Sequence, residues 1–178
     1  MQPKQKWLAL LNLIGGISVL LSYVYAFALS SELRTGLWGG VPERWRSVYT
    51  VSMFAAAAGY FPFTGLFIFG VDPERWRAGR RVGYDALLVF YAAVLVASAA
   101  WLPLTASMLA APSPTKWVLV RTVLGTVAFG AIGIVWSTWS TAVSRGGVLA
   151  WAAFVGALAF AWQTVVLDAL VWPAYFVF

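Results

Sequence analysis

Long apolar runs separated by short polar segments dominate this chain. A helix needs about 20 apolar residues to cross the hydrocarbon core of a bilayer, because each residue advances it by about 1.5 Å. Five runs reach that length, and they cover about residues 7–29, 48–70, 84–104, 117–141 and 147–172. The pattern predicts an all-α integral membrane protein, with residues 1–178 forming one transmembrane domain built as a compact bundle of five transmembrane helices.

Composition supports the same class and argues against catalysis. Of the 178 residues, 62% are hydrophobic and 10% are charged, whereas soluble domains are about half apolar and about a quarter charged. The chain has no Cys, no His and only six carboxylates, so it lacks the usual zinc, iron–sulfur and imidazole chemistry. We therefore expect a protein that is not an enzyme and that holds no metal and no cofactor.

The net charge of +6 is better explained by lipid headgroups than by nucleic acid, because the basic residues flank the apolar runs. Five spans put the two termini on opposite sides of the membrane. The side of the N-terminus carries seven basic residues and the other side carries five: Lys4, Lys6, Arg75, Arg77, Arg80, Arg81 and Arg145 against Arg34, Arg44, Arg46, Lys116 and Arg121. This bias predicts a prokaryotic plasma membrane protein with its N-terminus in the cytoplasm and its C-terminus outside.

Two short repeats stand out. Pro-Glu-Arg-Trp-Arg occurs at Pro42–Arg46 and again at Pro73–Arg77, and each copy predicts a helix start with proline in the first turn. Residues 60–64 resemble residues 101–105, with Pro62 and Pro103 at equivalent positions late in spans two and three. We expect both prolines to kink or end their helices. The second similarity fits either an inverted repeat or chance likeness between apolar helices.

Polar residues inside the spans are the strongest functional candidates, because each costs free energy unless it is satisfied. Asp168 lies near the far boundary of span five, with Thr164 one turn earlier and Gln163 close to the same face. Arg121 enters span four from the same side, so a pair between Arg121 and Asp168 would neutralise both charges. Such a pair would form either a latch between two helices or an ion-coupling site. The alternative is that the two side chains snorkel to the interface and never meet.

Small and aromatic residues indicate how the helices pack. Ala55 and Gly59 are four residues apart in span two, and Ala152 and Gly156 repeat that spacing in span five, which allows close helix approach. Six tryptophans fall near span ends and predict an interfacial belt: Trp7, Trp38, Trp45, Trp76, Trp117 and Trp172. Several of the other five are expected within or near the bundle: Trp101, Trp136, Trp139, Trp151 and Trp162. The inner five either fill space or wall an apolar ligand pocket.

Five predicted spans in a short, tryptophan-rich chain resemble the arrangement of the tryptophan-rich sensory, or translocator, proteins. The first loop of that family carries a tryptophan followed by paired prolines and further tryptophans. Here the corresponding stretch runs from Trp38 to Trp45 with one proline, Pro42, so the resemblance is one of architecture. It implies an aromatic pocket of the kind that holds porphyrin- or sterol-like ligands, and it carries over no individual ligand residue.

Three functional hypotheses follow. The first is binding or translocation of a small, largely apolar ligand in a pocket between spans two, three and five, near Trp101, Trp162, Gln163, Pro62 and Pro103. The second is a proton- or ion-coupled transporter or channel that uses Asp168 and is modulated by Arg121. The third is a non-catalytic subunit of a larger membrane complex. The expected partners are membrane lipids, a hydrophobic small molecule, and either further copies of the chain or other subunits.

Overall fold

The computed structural model describes residues 1–79 and 82–176. The elements in chain order are α1 (Pro3–Ala28), α2 (Ser31–Gly36), α3 (Glu43–Gly65), π1 (Leu66–Gly70), β1 (Arg77–Ala78), β2 (Val82–Gly83), α4 (Tyr84–Ala110), α5 (Pro114–Arg145), α6 (Val148–Ala161), π2 (Trp162–Val171) and α7 (Trp172–Tyr175). Within this part of the chain, five helices are long and apolar enough to cross a membrane. The prediction of an all-α fold with five such helices is confirmed.

The five long helices pack as a closed ring. α1 packs against α4, α4 against α5, α5 against α6, and α6 against α3. The contact between α1 and π1, the continuation of α3, closes the ring. One end of the bundle, here called the N-terminal end, contains residues 1–6, 70–79, 82–84 and 145–148. The opposite C-terminal end contains residues 28–43, 110–114 and 172–176.

α3 and α6 cross with almost no space between their backbones. A Cβ atom added to Gly59 would lie 2.5 Å from the carbonyl oxygen of Gly156 and 2.8 Å from its Cα. Only glycine fits at such a crossing, because any side chain would separate the two helices. The close approach predicted from the small-residue spacing in spans two and five is therefore confirmed.

A turn and a short hairpin occupy the loop between π1 and α4. The Asp72 side chain accepts a hydrogen bond from the Glu74 N–H (3.1 Å), and its carbonyl accepts one from the Trp76 N–H (2.8 Å). β1 then pairs with β2 in antiparallel fashion. The buried Trp76 indole donates to the hydroxyl of Thr141 in α5 (2.9 Å). This burial anchors the turn to the bundle.

The two copies of the pentapeptide therefore adopt different structures. α3 begins at Glu43 directly after Pro42, which confirms the helix start predicted for the first copy. The helix start predicted at Pro73–Arg77 is wrong, because that copy forms the turn and enters β1. Burial of Trp76 in the bundle outweighs the local helix-start signal, as tertiary contacts commonly do.

Polar contacts tie the first turn of α1 to this end of the bundle. Gln5 Nε2 donates to the carbonyl of Val71 (3.0 Å), and Gln5 is 8% exposed. Lys4 Nζ lies 2.9 Å from Asp85 Oδ2 at the start of α4. An apolar core of buried side chains, including Phe63, Phe67, Trp76, Tyr84, Leu87 and Tyr91, packs directly above these contacts.

Spans two and five both change from α- to π-helix, and a tyrosine hydroxyl donates into each π segment. Tyr84 donates to the carbonyl of Phe67 in π1 (2.8 Å). Tyr49 donates to the carbonyl of Leu167 in π2 (3.1 Å). π-Helices are rare and frequently occur at functional sites. The ten residues of π2 therefore make the C-terminal half of span five a candidate functional region.

Neither intrahelical proline ends its helix. α3 continues past Pro62 to Gly65, and α4 continues past Pro103 to Ala110, about six residues beyond the predicted end of span three near residue 104. Each proline removes one backbone donor, and a long helix fixed by neighbouring helices tolerates that loss.

The tryptophan predictions are partly wrong. Trp7 and Trp45 are exposed near helix ends, whereas Trp76 and Trp172 are buried, at 7% and 4% exposure. Of the five tryptophans among which several were expected within or near the bundle, four are exposed on the outer surface: Trp136, Trp139, Trp151 and Trp162. The reason is physical, because a lipid-facing surface is as apolar as a helix interface and composition cannot separate the two.

Candidate ligand site

The π-helical backbone of span five brings Gln163 and Asp168 together. In an α-helix, residues five apart project about 140° from each other around the axis, because each residue turns the helix by about 100°. A π-helix pairs residues five apart along its backbone. Gln163 Nε2 accordingly donates to Asp168 Oδ1 at 2.8 Å. Gln163 is 5% exposed and Asp168 is half-buried.

Two tyrosines surround this carboxyl group from other helices. Tyr49 of α3 is 6% exposed and bonds to the backbone of Leu167, the residue before Asp168. Tyr23 of α1 and Tyr49 both lie within electrostatic range of the Asp168 carboxyl group. The carboxyl group thus lies beside α3, which packs against π2 in the C-terminal half of the bundle.

Unpartnered buried polar atoms are concentrated in that half. In the described part of the chain, the buried side-chain atoms without a hydrogen bond are Arg46 Nε, Trp101 Nε1, Thr105 Oγ1 and Gln163 Oε1. Trp101 and Thr105 are four apart on one face of α4, and Thr105 is 0% exposed. Buried polar atoms are normally satisfied, so such a group indicates a ligand or an unseen water.

Aromatic side chains fill the space toward the C-terminal end. We call this group the aromatic cluster; its members are Trp38, Tyr49, Trp101, Trp117, Trp172 and Phe176. Trp172 is central, with ring centroids 6.0 Å from Trp101, 6.0 Å from Trp117 and 4.8 Å from Phe176. Its indole N–H donates to the carbonyl of Leu37 (3.0 Å). This bond ties α7 to the loop after α2.

A pocket of about 380 Å³ opens at the C-terminal end beside the cluster. Its lining comprises Gly36, Gly39, Gly40, Met108, Leu109, Pro112 and Phe176. Met108 and Phe176 also pack in the apolar core that contains Trp101 and Leu167. Pockets for small molecules typically measure about 300–1,000 Å³. This pocket, here called the mouth pocket, borders the aromatic cluster at Phe176.

The structure separates the residues expected to line a pocket. Trp101 and Gln163 both lie in the C-terminal half with buried, unpartnered atoms. Trp162 is 54% exposed and Pro103 is exposed on the outside of α4. Pro62 lines an apolar groove of about 840 Å³ that runs along the outside of the α3–α6 contact. These three residues are not brought together with Trp101 and Gln163.

The structure does not bring Arg121 and Asp168 together either. Arg121 is exposed, and its guanidinium lies 5.9 Å from the centroid of the Trp117 ring. Within residues 1–79 and 82–176, the ion pairs are Lys4–Glu74, Lys4–Asp85 and Asp72–Arg75. Asp168 bonds to Gln163 instead. Arg121 contacts Trp117, one turn earlier on the same helix, rather than a residue of span five.

Three residues of this region escaped sequence reasoning: Tyr49, Thr105 and Trp172. Tyr49 lies in the first turns of α3, and Trp172 was expected in the belt. Thr105 gave one usable signal, because it follows Trp101 by four residues and therefore shares its helix face. The π-helical register that joins Gln163 to Asp168 has no recognisable sequence signature.

No cluster of three or more metal-ligating side chains occurs in the described residues. Hydrogen bonding, aromatic contact and one carboxyl group are therefore the means of recognition that this region offers. No protein-family model, no curated protein and no solved structure matches the chain, and the architectural resemblance to the tryptophan-rich sensory proteins has no family match behind it.

Proposed function

We propose that the chain is an integral membrane protein that binds or translocates a small, largely apolar ligand within the C-terminal half of its bundle. The proposal rests chiefly on the unpartnered polar atoms of Trp101, Thr105 and Gln163, which are buried in helices long enough to span a membrane. A ligand with matching polar groups would satisfy them, and the aromatic cluster would cover its apolar part. No catalytic role is assigned.

The orientation proposed from the charge bias places the N-terminal end in the cytoplasm. Arg80 and Arg81, on which that bias depends, lie outside the described residues. The site would then open through the mouth pocket to the outer face of a prokaryotic plasma membrane. Reporter fusions at each terminus test this arrangement, since an odd number of spans requires the termini to report opposite sides.

Native mass spectrometry of the gently solubilised protein tests the binding proposal. We expect a stoichiometric bound small molecule in the wild type, and its loss in Trp101→Phe, which removes the unpartnered indole N–H. Trp162→Phe is the matched control, because Trp162 is 54% exposed on the outer surface. A wild-type protein without any bound molecule, or equal retention by both variants, would contradict the proposal.

Asp168 supports a second candidate, proton-coupled transport. An acidic residue in a membrane-length helix is costly and usually functional, and Asp168 has no ion pair in the described residues. In proteoliposomes with an internal pH-sensitive dye, a coupled transporter would show ligand-dependent proton flux that Asp168→Asn abolishes. If the wild type binds the ligand but shows no proton flux, proton-coupled transport is contradicted and the binding function remains.

A further inference from the structure

The hydrogen bonds around Gln163 leave an unusual surplus of acceptors. Its amide N–H₂ donates to Asp168, and its carbonyl oxygen Oε1 is buried and unpartnered. Among the described residues, Gln163 is the one side chain that hydrogen-bonds to Asp168. Tyr49 has its hydroxyl proton engaged with the carbonyl of Leu167. A ligand that occupies this point must therefore donate hydrogen bonds, because the protein offers acceptors.

The charge of Asp168 also favours a ligand that carries a positive charge. Asp168 lies inside a membrane-length helix, and none of the ion pairs among the described residues includes it. Arg46 lies over the Trp38 ring, 5.5 Å from its centroid, and Arg121 lies over Trp117. An unpaired carboxylate in an apolar environment is costly, and a cationic ligand would offset that cost.

The aromatic cluster is suited to such a ligand. Two of its rings, Trp38 and Trp117, already attract guanidinium groups, because the negative face of an aromatic ring favours a cation. Trp101 and Trp172 meet edge to face, and Leu167, next to Asp168, packs in the same core. An apolar or aromatic body could lie against these rings while its cationic group reaches Asp168.

We propose that the ligand class of this site is a lipophilic organic ammonium, with its N–H donors on Gln163 Oε1 and Asp168 and its apolar body against the aromatic cluster. This inference rests on the proposed binding function and specifies its chemistry. A neutral or anionic molecule of the same shape would leave the carboxylate unpaired, so it should bind more weakly.

Three probes that share a 2-phenylethyl body and differ in the charge of the attached group test the inference: 2-phenylethylammonium, 2-phenylethanol and 3-phenylpropionate. Their affinities are measured by calorimetric titration at neutral pH into protein held in phosphatidylcholine nanodiscs. We expect the ammonium to bind at least about tenfold more tightly than the other two, a difference of about 1.4 kcal/mol. Asp168→Asn should weaken ammonium binding by a similar factor, and Asp168→Glu should restore much of it.

Asp85→Asn is the matched control, because Asp85 lies at the N-terminal end beside Lys4; it should leave the ammonium affinity unchanged. If Asp168→Asn fails to fold, the affinities of the three probes for the wild type still test whether the site prefers a cationic ligand. Equal binding of the alcohol and the ammonium would overturn the cationic class. In that case binding that still depends on Trp101 would leave the proposed function standing. A wild type that binds none of the probes would also overturn the cationic class, and native mass spectrometry would decide the binding function separately.

Discussion

The two ends of the bundle differ in how completely their buried polar groups are satisfied. At the N-terminal end, Trp76 donates to Thr141, Gln5 to Val71 and Tyr84 to Phe67. Among the described residues, the four unpartnered buried side-chain atoms all belong to the C-terminal half. Apolar packing is extensive at both ends, so density of packing does not explain the difference.

This contrast teaches how to separate structural from functional polarity in a membrane-length bundle. A buried polar atom with a partner stabilises the fold, and its removal leaves that partner unsatisfied. A buried polar atom without a partner lowers stability, so a bound ligand or water is the usual reason for it. On this reasoning the N-terminal end holds the helices together, and the C-terminal half is where we propose that the ligand binds.

The largest expected effect comes from removing the anchor of the N-terminal end. Trp76→Ala deletes a buried indole that packs against Phe67 and Tyr84 at 5.3 and 6.1 Å between ring centroids. We expect a loss of about 3–5 kcal/mol in the free energy of unfolding, from the cavity and the lost bond to Thr141. Chemical unfolding in detergent measures it. Trp162→Ala, at an exposed position, is the control and should cost far less.

The contrast is sharpest in two buried threonines of nearly equal exposure. Thr141 is 1% exposed and accepts from Trp76, whereas Thr105 is 0% exposed and its hydroxyl is unpartnered. Thr141→Val should cost about 1–3 kcal/mol, because it leaves the Trp76 N–H unsatisfied. Thr105→Val should be neutral or stabilising in the ligand-free protein. Equal losses in both variants, measured by the same unfolding experiment, would break the comparison.

A smaller effect is expected at the two tyrosines that donate into the π segments. Tyr84→Phe and Tyr49→Phe each remove one hydroxyl and leave the ring in place, so each should cost about 1 kcal/mol. Their functional consequences should differ. Tyr49→Phe should also weaken binding of 2-phenylethylammonium, because Tyr49 lies beside Asp168, while Tyr84→Phe should leave binding unchanged. If Tyr84→Phe lost binding and Tyr49→Phe did not, the ligand site would lie at the N-terminal end, and the proposal would be contradicted.

The smallest effect concerns pH and the exposed turn at the N-terminal end. Hydrogen bonds from the Gln2 side chain and the Glu74 N–H lower the pKa of Asp72 below its usual value. The folded state therefore favours the carboxylate, and its contribution is present at neutral pH and lost as pH falls through the lowered pKa. The melting temperatures of wild type and Asp72→Asn should converge at acid pH. A gap that stays constant with pH would exclude this contribution.

The sequence predicted where the long helices lie, but it predicted poorly which side of each helix faces the interior of the bundle. Apolar runs of about 20 residues identified all five long helices, because membrane thickness sets that length. The crossing at Gly59 and Gly156 was also predictable, since small residues four apart permit close approach. The outer surface of the bundle is also rich in large apolar side chains, however, so Trp162 could not be assigned to the outside from composition.

The candidate site was predictable only in part. Gln163 and Asp168 stood out as polar residues in an apolar run, and Trp101 as an aromatic within a span. The contact between Gln163 and Asp168 depends on the π-helical register of residues 162–171. In an α-helix, residues five apart lie on different faces and would not meet. The pairing of Asp168 with Arg121 was inferred from depth alone, and depth does not specify which side chains meet.

Hydrogen exchange of the tryptophan indole N–H groups, resolved by ¹⁵N NMR of the ligand-free protein in detergent, tests the central claim most directly. Trp76 and Trp172 donate to Thr141 and to the carbonyl of Leu37, so both N–H groups should exchange slowly. The unpartnered Trp101 N–H should exchange much faster, because a ligand site must be reachable from outside. Protection of Trp101 equal to that of Trp76 would show a closed, satisfied interior and would contradict the assignment of the C-terminal half to a ligand.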